Sequence, residues 1–301
     1  MAGADRAPDP RPEIAHFGRA RKIARVIRRR VDGVLTDGEP SMIKTFAATV
    51  AALLCAAAPV AAFDLVALTD RNELIRFRDS EPGRTAMVAI LGTEGRVLAI
   101  DVRPANRTLY AIDDKSTLYT LDPHTGHAAK IATLSAALED ATHALADFNP
   151  QADRLRVIGA GGQSLRVNVE TGQTVVDGRL KFAPGDAHAG KTPRVLAGAY
   201  LNSIPNAPNT QLFEYDAETG AYLIQDPPND GVLQTVGDPP LPAGVAVDAM
   251  DIHTTPDMRD YTGFAVARNN LYRFAISSGR LTPVGPIAAG ARRVVDIAVL
   301  P

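Results

Sequence analysis

The sequence predicts an all-β protein: a β-propeller of five four-stranded blades, closed by pairing of the C-terminal strand with the N-terminal blade. Three observations carry that expectation. Short runs rich in Val, Leu, Ile and Tyr alternate with turn residues from Phe63 to Pro301. Most of these runs fall into sets of four. An aspartate returns at matching places, Asp101, Asp147, Asp251 and Asp296, at intervals of 46, 104 and 45 residues, the middle one spanning two repeats. A repeat of about 40–50 residues with four short strands is the propeller pattern.

The elements follow in order. "FDLVALTD", "ELIRF" and "AMVAIL" give three strands at the start, and "VVDIAVLP" gives one at the end. Three and one complete a sheet, which removes the exposed edges of the ring. The second blade reads "VLAIDV", "TLYAID", "TLYTLD" and "AKIATL". The third reads "HALADFNP", "RLRVIG", "SLRVNV" and "QTVVDG". The fourth reads "VLAGAYLN", "QLFEYD", "AYLIQD" and "LQTVG", and the fifth "VDAMDIHT", "YTGFAV", "NLYRFAI" and "LTPVG". Apolar and polar residues often alternate within these runs, but "VLAGAY" is apolar throughout, as strands buried on both faces are.

Turn chemistry agrees with the register. "DPHTG" at 122–126, "NVETG" at 168–172, "DAETG" at 216–220 and "AISSG" at 275–279 each end in the glycine that a positive φ favours. The copy at 216–220 comes one hairpin early in its blade. "GAGGQS" at 159–164 looks like a phosphate cradle, but a cradle needs a helix behind its glycines. "LRVNV" alternates as a strand instead, so a hairpin is expected there.

Residues 42–62, "MIKTFAATVAALLCAAAPVAA", have a short charged start, an apolar run and small residues before Phe63. They read as a secretory signal peptide starting at Met42. Residues 1–41 are then expected to be no part of the natural protein, or a disordered basic tail, and 63–301 a single propeller domain. The competing reading makes 45–63 a signal anchor in the inner membrane, the one membrane contact anticipated. Cys55, the only cysteine, lies in that run, so the exported body has neither disulfide nor thiolate metal site. The expected location is periplasmic or extracellular.

The first 62 residues carry ten Lys/Arg against six Asp/Glu, and the remainder carries 22 against 28. An acidic body argues against nucleic acid as a partner. "DFNPQADRLRVIGAGGQSLRVNVETG", "APGDAHAGKTPRVLAGAYLN" and "LIQDPPNDGVLQTVG" resemble the hallmark segments of the bacterial DUF4394 family, in order along Phe63–Pro301. Ser164 stands where the family pattern would have Asn. The family is a domain of unknown function. The resemblance therefore implies an exported, propeller-like protein and brings no catalytic residues with it.

Candidate chemistry starts with the repeated aspartates, which first strands would bring to the central channel. As oxygen ligands they suit a hard cation such as Ca²⁺, helped by Asn149 and Asn202. Recurrence in nearly every blade favours a structural role, with the carboxylates accepting backbone hydrogen bonds. The symmetry breaks at Tyr200 and Asn202 in the fourth blade and at His253 in the fifth, candidates for an acid/base or metal site at the channel mouth. The other body histidines lie in turns or loops without metal-ligand spacing. Two loops offer a binding rim: 181–194, with Asp186, His188 and Lys191, and 225–231, where Pro227-Pro228 is expected to hold Asn229 and Asp230 outward.

No nucleophile elbow, paired metal-ligand histidines or dinucleotide fingerprint is present. The sequence therefore favours a monomeric, non-catalytic module binding a protein, glycan or small ligand, with no cofactor required. A cation-dependent propeller hydrolase resembling a lactonase is the alternative, and a structural envelope protein the third.

Overall fold

The computed structural model describes residues 62–237 and 245–301. The expected tail and nearly all of the signal segment lie outside the described residues. Within them five antiparallel sheets form the blades of a propeller. Blade 1 holds β1 (Asp64–Thr69), β2 (Glu73–Arg78) and β3 (Glu81–Ala89), and blade 2 holds β4 (Val97–Arg103), β5 (Thr108–Asp113), β6 (Thr117–Leu121) and β7 (Ala128–Thr133). Blade 3 comprises β8 (Ala144–Asn149), β9 (Arg154–Gly159), β10 (Ser164–Val167) and β11 (Thr174–Val176). Blade 4 contains β12 (Lys181–Phe182), β13 (Val195–Tyr200), β14 (Leu212–Asp216), β15 (Tyr222–Gln225) and β16 (Val232–Gly237). Blade 5 contains β17 (Ala249–Thr254), β18 (Tyr261–Ala267), β19 (Asn270–Phe274) and β20 (Leu281–Pro286), and β21 (Val294–Val299) ends the chain's strands.

The ring closes as the sequence predicts. β21 pairs antiparallel with β1, Leu65 opposite Val299 and Leu68 opposite Asp296, and becomes the inner strand of blade 1. The inner strands β21, β4, β8, β13 and β17 then touch in a closed circuit.

A simple alternation explains how β1, beside the inner strand of blade 1, is buried at every residue from Leu65 to Thr69. Leu65 and Ala67 of β1 face the core shared with blade 5, whereas Val66 and Leu68 face the core shared with blade 2. Period-2 patterning thus divides one strand between two apolar neighbours. Five hydrophobic clusters result, one at each junction of blades.

All four predicted turn glycines have positive φ, between 68° and 76°. Three of them also press on the preceding blade. A Cβ on Gly172 would lie 2.6 Å from the Thr133 carbonyl oxygen, and one on Gly279 would lie 2.3 Å from the Tyr222 ring. Gly220, the copy one hairpin early, meets nothing within 4 Å. The glycine-rich 159–164 segment is a β9–β10 hairpin, with Gly162 at φ 78°.

Two details differ from expectation. Blade 4 has five strands, because Lys181–Phe182, expected in a connector, pairs parallel with β16 at the outer edge. β3 begins at Glu81 rather than Ala86, taking in Pro82 and Gly83. It is an outer strand, whose free edge tolerates a proline lacking an N–H. Among the described residues no helix is long and apolar enough to cross a membrane.

Candidate functional site

Asp101, Asp147, Asp251 and Asp296 all sit on inner strands and are buried. Asp101, Asp147 and Asp251 bring one carboxylate oxygen each to within 4.8 Å of one another. Each of the four accepts a backbone N–H from the next blade. Asp296 accepts from Ile100 at 2.8 Å, Asp101 from Phe148 at 2.7 Å, Asp147 from Tyr200 at 2.9 Å and Asp251 from Val299 at 2.6 Å. Asp101, Asp251 and Asp296 use their second oxygen on the N–H of the following residue. Only Asp147 Oδ2 lacks a backbone donor.

Burial raises all four carboxyl groups above the ordinary aspartate range, and neighbouring carboxylates push Asp101, Asp147 and Asp296 further. The backbone donors pull the other way without winning. Asp251 is pushed up to about 6, chiefly by burial. Chemically the cluster is a set of interblade staples whose carboxyl groups hold their protons more firmly than free aspartates do.

Tyr200 fills the corresponding inner strand of blade 4, its N–H on Asp147 and its hydroxyl accepting from Arg156 Nε at 3.1 Å. Asn202, at φ 62°, donates to the Asn209 backbone and side chain, while its own Oδ1 is buried without a partner. Asn149 Oδ1 accepts from the N–H groups of Gln151 and Ala152 in the turn after β8. His253 packs its ring 4.7 Å from Phe63, and burial lowers its pKa. No hydrogen bond joins Asn202 or His253 to the channel aspartates among the described residues.

The two rim loops are more tightly held than their composition suggests. Asp186 accepts from the N–H groups of His188 and Thr235, which ties its loop to β16. Lys191 Nζ lies 3.4 Å from His188 Nδ1. Asn229 is exposed, yet its Oδ1 turns inward and accepts from Arg156 Nη2 at 2.8 Å. This corrects the outward orientation expected of it: the buried guanidinium offers a charged donor that water does not match. Asp230 is exposed.

Arg156 leads to a group that spacing did not reveal. It is 1 % exposed and also donates to Ser164 Oγ and Asp177 Oδ2, at 2.8 and 2.7 Å. Nearby Glu214 is fully buried with both carboxylate oxygens unpartnered. Burial pushes its pKa up to about 8, against the pull of Arg156. Its partner across the β13–β14 pair is Gly198, where a Cβ would come within 3.0 Å of Glu214 Cγ. Gly198 follows "LA" in β13 as Asp147 does in β8, so the missing side chain makes room for this carboxyl. The signal available was an acidic residue between the aromatics Phe213 and Tyr215, at the middle of a strand.

Two concavities open on the surface of the described residues. A depression of about 300 Å³ lies where β8, β13 and β21 begin, at one mouth of the channel. His143 lines it, with Nε2 2.9 Å from the Leu196 carbonyl and a pKa lowered by burial. The larger is a cleft of about 790 Å³ between blades 1 and 2. Its floor includes Leu109, Leu121 and Leu300 from the interblade core, and its rim carries Arg76, Arg78, Arg84 and Arg107.

No curated protein matches the sequence. Among solved structures, similarity extends to a structural genomics protein of unknown function from Bacteroides thetaiotaomicron VPI-5482, at 13% identity and TM-score 0.49 over 79% of this chain and 65% of that one. BamB from Moraxella catarrhalis matches at 18% identity and TM-score 0.33, over 74% of this chain and 58% of its own. Virginiamycin B lyase from Staphylococcus aureus matches at 8% identity and TM-score 0.40, over 72% and 68% respectively. The chain spans less than two thirds of the length of the first two. Residues 73–298 match the family model named Domain of unknown function (DUF4394), and the chain belongs to that family.

Proposed function

We propose that the protein is an exported, non-catalytic binding propeller that takes a small ligand in the cleft between blades 1 and 2. The observation that carries this reading is the cleft itself, about 790 Å³ with an apolar floor and a polar rim. Size and lining are those of a small-molecule site. The channel aspartates meanwhile spend seven carboxylate oxygens on backbone N–H groups, which suits a structural duty. Ala86 is exposed on the cleft wall, so Ala86→Trp obstructs the cleft without touching the core. A ligand-observed NMR screen of small organic compounds tests the reading. Hits on the wild type that vanish with Ala86→Trp support it; hits indifferent to that substitution refute it.

The gathered carboxylates favour a second reading, a cation-dependent hydrolase with Ca²⁺ on Asp101, Asp147 and Asp251. Ca²⁺ would then raise the melting temperature of the wild type and not that of Asp147→Asn. Identical melting with and without Ca²⁺ removes this reading.

A further inference from the structure

Within the cleft the four arginines are not equivalent. Arg78 pairs with Asp64 and Arg84 with Glu81, both at the surface, with side chains 60 % or more exposed. Arg76 and Arg107 have no ion pair and no side-chain hydrogen bond among the described residues. Pro301, also on the rim, forms no ion pair with either. Arg76 extends from β2, and its Nε is buried without an acceptor. A guanidinium always carries its charge and its five donors, and a buried donor left unmet is costly. Arg107 lines the same cleft from the β4–β5 turn of blade 2.

Four arginines against the side chains of Asp64 and Glu81 and the α-carboxylate of Pro301 leave the cleft positive by one charge, although the body from residue 63 on carries 22 basic and 28 acidic residues. A positive concavity on an acidic body draws anions in preference to cations. A guanidinium pair suits a carboxylate or phosphate, and the Leu109, Leu121 and Leu300 floor suits an apolar body.

We propose that the cleft binds an amphipathic organic anion, its acidic head between Arg76 and Arg107 and its hydrocarbon body on the leucine floor. This rests on the reading of the cleft as the binding site and specifies its ligand class.

The test uses full-length protein and three probes of equal chain length: decanoate, 1-decanol and decylamine, with affinity read by calorimetry. Decanoate is expected to bind at least about tenfold tighter than decanol, with decylamine weakest, because a charge-assisted hydrogen bond is worth about a tenfold factor or more. Arg76→Gln and Arg107→Gln should each weaken decanoate about tenfold and leave decanol unchanged. Arg107 is exposed on a turn, so its variant remains informative even if Arg76→Gln does not fold. Arg259→Gln, an exposed arginine outside the cleft, should change nothing. Equal binding of decanoate and decanol, both abolished by Ala86→Trp, overturns the anion assignment and leaves the cleft as a site. Decanoate binding that ignores Ala86→Trp overturns both.

Discussion

The junction of blades 2 and 3 and the junction of blades 3 and 4 share an aspartate staple but are filled in opposite ways. Fifteen buried apolar residues close the first, Phe148, Leu155 and Val157 among them. Only eight lie in the cluster at the second. There Arg156, Asp177, Tyr200 and Ser164 make up the difference as a buried hydrogen-bonded group, with Glu214 beside it and unpartnered. Burying one leucine or valine contributes about 1.5–3 kcal/mol, whereas a buried ion pair roughly breaks even with its desolvation. One repeat therefore tolerates two interior chemistries, and the polar one arises where Gly198 leaves a gap. Both junctions hold a staple carboxyl raised by burial, and the polar one adds Glu214, pushed up to about 8.

The largest expected effect comes from Glu214→Gln. Glu214 keeps its proton in the fold until about pH 8, whereas its ordinary value is 4.5. The folded state binds more protons between those values, so this group's stabilisation is whole below pH 4.5 and lost as pH rises through 8. The glutamine should leave stability unchanged at pH 4 and raise it at pH 9 by at most about 5 kcal/mol in urea melts. Equal effects at both values would show that Glu214 is not held protonated. Arg156→Met should cost toward the lower end of about 3–5 kcal/mol at pH 8, since Glu214 loses the cation beside it while Asp177 keeps only its pair with the partly exposed Arg166. Adding Glu214→Gln should recover part of that loss, a coupling visible in a double-mutant cycle.

The staples sharpen the comparison from the other side. Asp296→Ala leaves the N–H groups of Ile100 and Ile297 without acceptors. It should cost about 2–4 kcal/mol. Asp147→Ala frees only the Tyr200 N–H and removes a carboxyl crowded by Asp101, so its cost should be clearly smaller. Reversal of that order in chemical denaturation would contradict the staple account. The smallest contrast separates two copies of one turn. Gly220→Ala should cost about 1–2 kcal/mol, for left-handed backbone alone. Gly172→Ala should cost more, because its Cβ would lie 2.6 Å from the Thr133 carbonyl oxygen.

What was legible in the sequence was whatever repeats. The aspartate spacing located the inner strands, and the turn glycines fixed hairpins because each needs a positive φ. Even the displaced copy at 216–220 was informative, since Gly220 is the one that touches no other blade. The fifth strand of blade 4 escaped because two residues pair with a partner some fifty positions away. The cleft and the Arg156–Glu214 group escaped for the same reason. Arg76 and Arg107 come from different blades, as do Arg156 and Asn229, and no local spacing records a meeting made by the packing of neighbouring blades.

Amide chemical-shift mapping with decanoate tests most directly the claim that ligand binding lies between blades while the channel holds them together. The account predicts shifts concentrated at Thr85–Ala86 and Arg107–Leu109, with Asp101, Asp147 and Asp251 undisturbed. Shifts centred on those three aspartates, or none in the cleft, would contradict it.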